Sequence, residues 1–138
     1  MISISTDKTL LDVTMIHRYL SRDSYWAKNI PLDIVERSIE NSLCFGLYKD
    51  SLQAGFARVI TDYATFAYLA DVFILPEHRK QGLSKQLLAY IRDFPDLKGL
   101  RRWMLATADA QGLYQQYGFT ELSKPERMME ISVPNIYG

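Results

Sequence analysis

The residues best suited to chemistry lie in the run Val72-Phe-Ile-Leu-Pro-Glu-His-Arg-Lys-Gln-Gly-Leu-Ser-Lys-Gln-Leu-Leu88. An apolar strand runs into Pro76, a basic turn with one glycine follows, and an amphipathic helix begins. The first turn of a helix carries N–H groups with no intrahelical acceptor and the positive end of the helix dipole, which together favour a phosphate. Gly82 lets the backbone approach an anion with no Cβ in the way, and Ser84 keeps the next close position small. Arg79, Lys80 and Lys85 add positive charge. The run is not a P-loop, because the Gly-Lys-Ser/Thr ending is missing, and not a dinucleotide fingerprint, because it holds a single glycine. By composition alone, a capped helix with a solvated basic face is the commoner meaning of such a stretch.

Four other side chains invite a chemical reading. Asp71 is the only carboxylate in an apolar strand, so it is either a base of raised pKa or a buried structural group. In the second case Arg58 is its expected partner, provided the hairpin register puts both on one face. Tyr114 lies on a later amphipathic segment, where it either packs or donates a phenolic proton, since a phenol with a pKa of about 10 stays protonated at neutral pH. His17 reads as a satisfied polar residue on a helix, and Cys44 as a small buried one with no activating base nearby in sequence. Two histidines and one cysteine make a metal site unexpected, and the lone cysteine excludes an internal disulfide.

These residues need a scaffold, and the hydrophobic periodicity outlines one. Residues 9–21 repeat apolar side chains at steps of three and four, as an amphipathic helix does. Residues 21–29 break that period around Tyr25 and Trp26 and read as a loop. A second helix starts near Pro31, with Asp33 and Glu36 at its positive end. β-branched and aromatic residues then predict strands over 43–49, 53–61 and 65–75, joined by turns short enough for antiparallel hairpins. A helix from Gln81 to Phe94 is closed by Pro95 and Gly99; a strand over 102–107, a helix over 109–117 and strands over 119–122 and 127–133 follow. Strict alternation along 65–75 puts Phe66, Tyr68, Ala70, Val72 and Ile74 on one face and Ala67, Leu69, Asp71, Phe73 and Leu75 on the other. Hairpins mixed with strand–helix–strand crossovers imply an α/β (α+β mixed) fold: a mixed, mostly antiparallel sheet of about six to seven strands with helices on both faces.

The 138 residues fit one domain, 1–138, with no repeat or linker to divide them. Sixteen basic and sixteen acidic residues balance to zero, which argues against a protein-wide polyanion footprint and so against nucleic-acid or membrane partners. The first residues have no basic head and apolar stretch, and no window approaches the ~18 apolar residues of a membrane span, so a cytoplasmic protein is expected.

The pattern Val72-x-Ile74-x-Pro76-x-x-Arg79-x-x-Gly82-x-Ser84 resembles the acetyl-coenzyme-A-binding motif of the GNAT superfamily of N-acetyltransferases, whose core is Arg or Gln, two residues, Gly, one residue, then Gly or Ala. Ser84 is the departure. A second stretch, Ala110-x-x-Leu113-Tyr114-x-x-x-Gly118-Phe119, is similar to that family's downstream signature, with Thr107 where many members have Asn. The resemblance implies acetyl-CoA as cosubstrate and no metal. It places the pantetheine arm along Val72, Phe73, Ile74 and Leu75. The pyrophosphate falls on the turn formed by Lys80, Gln81, Gly82, Leu83, Ser84 and Lys85, with Arg79 at the mouth. It makes Tyr114 the acid for the departing thiolate, and the reaction a direct attack by the amine without a covalent acyl-enzyme. Some relatives carry a Glu or His near the level of Tyr68 and Ala70, and this chain has neither there; Asp71 is the remaining candidate for a base. The loop with Arg22, Tyr25 and Trp26 is the expected acceptor site. The acceptor would be a small-molecule or peptide amine, and a homodimer is allowed. Two rivals remain open: a catalytically weak coenzyme-A-binding module, and an interaction domain using the basic clusters His78-Arg-Lys80 and Lys98 with Arg101-Arg102.

Overall fold

The computed structural model describes residues 1–138. The chain opens with β1 (Ile2–Ser5) and then makes, in place of one helix over 9–21, three shorter pieces: a 3-10 turn at Lys8–Leu10, α1 (Val13–Arg18) and a π-helical turn at Tyr19–Asp23. The break has a local cause. Asp7 and Asp12 each accept a hydrogen bond from a backbone N–H two or three residues on, from Thr9 at 2.9 Å and Met15 at 3.1 Å. Each therefore starts its own segment, and Leu11 between them is extended.

Helix α2 (Leu32–Glu40) follows Pro31, carries Asp33 in its first turn and buries Val35 and Ile39. Three long strands come next: β2 (Leu43–Lys49), β3 (Leu52–Thr61) and β4 (Phe66–Ile74). Lys49 pairs with Leu52 across Asp50 and Ser51, both at positive φ, the geometry that matches strand twist in a two-residue hairpin. The β3–β4 turn is organised by Asp62. The Thr65 hydroxyl, then the backbone N–H groups of Thr65, Ala64 and Phe66, hold its carboxyl far below the usual carboxylate range. Helix α3 (Leu83–Arg92) crosses over to β5 (Arg102–Met104), which lies parallel to β4, and α4 (Gln111–Gln115) completes the regular elements.

The sheet has five strands in the order β1-β2-β3-β4-β5, not the six to seven expected. Residues 119–122 and 127–133 have strand-like sequences but pair with no strand, and a 3-10 turn at Pro125–Arg127 takes the first residue of the second segment, so neither is a strand. The architecture is otherwise the mixed α/β one, with a core on each face. Leu83, Leu87, Leu88 and Ile91 of α3 pack on Phe45, Leu47, Val59 and Leu69. Met15, Ile16, Val35 and Ile39 pack on Cys44, Phe56 and Phe73 across the sheet. Leu87 is fully buried, so Leu87→Ala is expected to cost about 2–5 kcal/mol of stability in urea denaturation; a loss well under 1 kcal/mol would contradict this packing.

Strand β4 departs from strict alternation in its middle. Phe56 pairs with Phe73 but Arg58 pairs with Ala70, so Asp71 and Val72 together face Ala57. This is a β-bulge, and Asp71 occupies it at φ 54°. The bulge turns Phe73 and Leu75 to the face opposite Leu69. Leu69 packs under α3, while Phe73 stacks on Tyr19 at 4.0 Å on the α1–α2 side.

Candidate active site

Strand β4 is bonded to β5 only at its start, where Phe66, Ala67 and Tyr68 pair with Arg102, Trp103 and Met104. Beyond that the two strands separate, and the β4 edge has no strand partner on this side. Leu75 donates its N–H to Ala54 and the Phe73 carbonyl faces Gly55, so both peptide groups point toward β3. By alternation the peptide groups of Val72 and Ile74 face the gap. Of the four residues expected to flank a pantetheine arm, Val72 therefore offers its main-chain groups to it and Ile74 its N–H, the Ile74 carbonyl being bonded by Arg79.

The gap leads to the turn before α3. Lys80 and Gly82 are both left-handed, at φ 65° and 75°, and this bend turns the N–H groups of Lys80, Gln81, Gly82, Leu83, Ser84 and Lys85 away from any acceptor in the chain. A side chain at position 82 would meet no atom within 4 Å, but it would be strained at that φ. The result is a set of free donors at a helix start, beside the cationic Lys80 and Lys85. Arg79 serves as a brace. Its Nε donates to the Ile74 carbonyl and its terminal nitrogen to the Tyr19 hydroxyl, both at 2.9 Å. Tyr117 ties α4 to the same region through a 3.0 Å bond from its hydroxyl to the Lys85 carbonyl.

A cavity of about 520 Å³ fills the space where β4 and β5 diverge, and its walls include Tyr25, Trp26, Tyr68, Asp71, Asp109 and Tyr114. Tyr114 points a phenol into it whose pKa burial pushes up to about 12, with the nearby Tyr25 and Asp109 adding to the shift. Tyr25 accepts the Ala108 N–H at 2.9 Å and meets Trp26 edge-on at 5.0 Å. Trp26 in turn donates its indole N–H to Asp71 Oδ1 at 2.8 Å, while Arg58 Nε donates to Asp71 Oδ2 at 2.8 Å. The expected Asp71–Arg58 pair is thus present, about 11% and 16% exposed, and the expected aromatic pair is fastened to it. Arg22 is not among the cavity walls; it is exposed, and its carbonyl accepts the Lys28 ammonium.

Sequence reasoning did not single out Asp109, or find the Trp26–Asp71 bond. Nothing local marks either, since Trp26 and Asp71 are 45 residues apart. His17 and Cys44 lie outside the cavity. The His17 ring bonds the Ile30 carbonyl at 3.0 Å. Cys44 is buried, which pushes its thiol up to about 11, so it should resist thiol reagents at pH 7–8 until the protein is unfolded; rapid labelling of the native protein would contradict this.

Residues 40–121 match the family model for the acetyltransferase (GNAT) domain. A Gibberella zeae protein provisionally named an acetyltransferase is 34% identical over 98% of this chain and 88% of its own. The chain belongs to the GNAT acetyltransferase family. The matched span of this GNAT domain contains both the turn before α3 and Tyr114. A crystal structure from Xanthomonas campestris pv. campestris, of a protein assigned to the same family, is 57% identical, covers 99% of this chain and 96% of its own, and superposes with a TM-score of 0.97. The same fold recurs in a Clostridium acetobutylicum protein described as a predicted acetyltransferase and solved with acetyl-CoA. It is 11% identical, covers 96% of each chain, and has a TM-score of 0.68. No helix of the GNAT domain is long and apolar enough to cross a membrane, and no group of three or more His, Cys, Asp or Glu residues could hold a metal ion.

Proposed function

We propose that the chain is an acetyl-CoA-dependent N-acetyltransferase acting on the primary amine of a small molecule or an exposed amino group. The observation that carries this is the succession of three features from the β4 edge onward: the cavity holding the Tyr114 phenol where β4 leaves β5, the Val72 main chain and the Ile74 N–H on the unpaired edge, and the unbonded N–H groups at residues 80–85. These fit the coenzyme in order, with donors for the pyrophosphate, an extended edge for the pantetheine amides, and a proton at the far end. Bound there, acetyl-CoA would supply an activated acetyl thioester.

The chain's own groups would then do three things. The turn and α3 hold the anionic end, and the β4 edge aligns the arm. Tyr114 holds a proton for the sulfur, and its raised pKa keeps that proton in place across the physiological range. Tyr25, Trp26 and Tyr68 offer aromatic faces and Asp109 an exposed carboxylate, surroundings that suit a protonated amine before it loses its proton. Asp71 has both carboxylate oxygens engaged by donors, so its role is to fix Trp26 and neutralise Arg58 rather than to take up a proton. With no dedicated base, the acceptor's own pKa matters: at pH 7 about one in seven α-amines is unprotonated, against about one in 2,500 lysine-like amines.

The pH dependence follows in sign. The rate should rise as the acceptor deprotonates and then stay level, because Tyr114 does not ionise until about pH 12. Measured from pH 6 to 10.5, kcat/KM should show no descending limb from a phenol; a fall centred near about pH 10, the ordinary tyrosine value, would contradict the burial of Tyr114.

Thiol release from acetyl-CoA, measured with polyamines, amino acids, aminoglycosides and peptides, tests the activity. Release that depends on one of these amines is expected. A protein that binds acetyl-CoA but releases no thiol with any amine would be the coenzyme-binding module instead.

A further inference from the structure

Three charged residues line the cavity that holds the Tyr114 phenol: Arg58, Asp71 and Asp109. Arg58 and Asp71 cancel one another at 2.8 Å, and the second Asp71 oxygen is taken by the Trp26 indole. Asp109 has no such partner. It is exposed and belongs to no ion pair. The hydrogen bonds around it go elsewhere, the Ala108 N–H to the Tyr25 hydroxyl at 2.9 Å and the Ala110 N–H to Thr107 Oγ1 at 3.1 Å. The cavity is left with one unmatched negative charge.

Aromatic rings share the cavity with that charge. Tyr25 and Trp26, 56% and 41% exposed, stand at its rim, and Tyr68 and Tyr114 are half-buried within it. The remaining wall is short and uncharged, with Ala106, Ala108 and Ala110 among its residues. A carboxylate next to aromatic faces is a site for a cation, and at an exposed rim the cation keeps part of its water, so the cost of stripping it is small. The frame is fixed: Trp26 is pinned by Asp71, and Tyr25 fastens the segment that bears Asp109.

The nitrogen that attacks the thioester is poorly served there. It must lose its proton first, and an opposite charge within about 4–6 Å keeps an amine protonated. A carboxylate in contact with water is too weak a base to draw the proton off a lysine-like amine. The cation that gains from Asp109 is one that never gives up its charge. We propose that Asp109, with the rings of Tyr25 and Trp26, holds a second cationic group of the acceptor, an ammonium or guanidinium that stays charged while a different amine of the same molecule is acetylated. The acceptor is then a diamine or an amine with a guanidinium tail; a carboxylate at that end would meet a like charge. The inference rests on the acetyl-transfer reading for the reacting amine, whereas the cation site can be read without turnover.

Tetramethylammonium, which can neither lose a proton nor accept an acetyl group, probes the site directly. Titrated into the protein, it should shift the amides of residues 108–110 and the Trp26 indole N–H, with tert-butanol, its neutral counterpart in size, causing no such shift. Asp109→Asn should weaken its binding about fivefold. Thiol release is then compared for 1,5-diaminopentane, n-pentylamine and 5-aminopentanoate, whose far ends are positive, neutral and negative. The diamine should exceed the monoamine about tenfold in kcat/KM, beyond the factor of about two from its equivalent ends, with the amino acid lowest. Asp109→Asn should cut that preference to about twofold. Tetramethylammonium binding that ignores Asp109, or equal kcat/KM for the three amines, would overturn the proposal and leave acetyl transfer intact. An equal loss with all three in Asp109→Asn would overturn it too, by placing Asp109 at the reacting amine. Tetramethylammonium bound at Asp109 with no thiol released from any amine would support the cation site and overturn acetyl transfer instead.

Discussion

Tyr114→Phe is expected to lower kcat by about 10²- to 10⁴-fold, the usual contribution of a positioned general acid, while changing the KM for acetyl-CoA by no more than about threefold. The asymmetry follows from where the phenol sits. Its ring is packed edge-on against Phe119 at 5.9 Å, and phenylalanine preserves that packing. Its hydroxyl lies in the cavity, away from the turn that would hold the pyrophosphate. Removing the oxygen therefore removes a proton donor and little else. Retained turnover would take Tyr114 out of the mechanism, and a parallel loss of coenzyme affinity would make it a binding group.

Asp71→Asn should cost about 3 kcal/mol of stability, the lower end of the range for a buried ion pair, because it leaves the partly buried Arg58 guanidinium, which borders the cavity, without its counter-charge. Asparagine tolerates the left-handed backbone at this position and can still accept the Trp26 N–H, so the variant isolates the charge. Thermal unfolding should show a clear drop in Tm, and Arg58→Met added to it should recover part of the loss. At a temperature where the variant is folded, the pH profile of kcat/KM should keep its shape. An unchanged Tm with activity lost and the profile shifted would instead make Asp71 the catalytic base.

Much of this fold is legible in the sequence because it follows from local patterns. Strand β2 begins and ends at Leu43 and Lys49 as the run of β-branched and aromatic residues predicts, and the turns at Asp50 and Asp62 declare themselves by residue type. The helix start at Gly82 is equally plain, because proline, glycine and cations mark it in succession. What the sequence conceals is non-local. Strict alternation along β4 fails at Asp71, since a bulge depends on the partner strand's register. The Trp26–Asp71 bond depends on a loop from one end of the chain meeting that bulge. Residues 119–122 and 127–133 carry the right alternation for strands yet form none in the single chain, because alternation reports which face would be buried and not whether a neighbour exists. Arg79 reads as a phosphate ligand by charge, but its guanidinium is committed to Ile74 and Tyr19.

The proposed function places acetyl-CoA along the β4 edge with its pyrophosphate on the turn before α3. Two-dimensional ¹H–¹⁵N correlation spectra recorded during an acetyl-CoA titration address it at the level of single amides. The amides of Lys80 to Lys85, unbonded in the free protein, should move downfield as they acquire an anionic acceptor, together with Val72 and Ile74. Those of Phe73 and Leu75, which face β3, should move less. Saturable binding with shifts confined to another part of the molecule, or no binding at millimolar acetyl-CoA, would contradict the account.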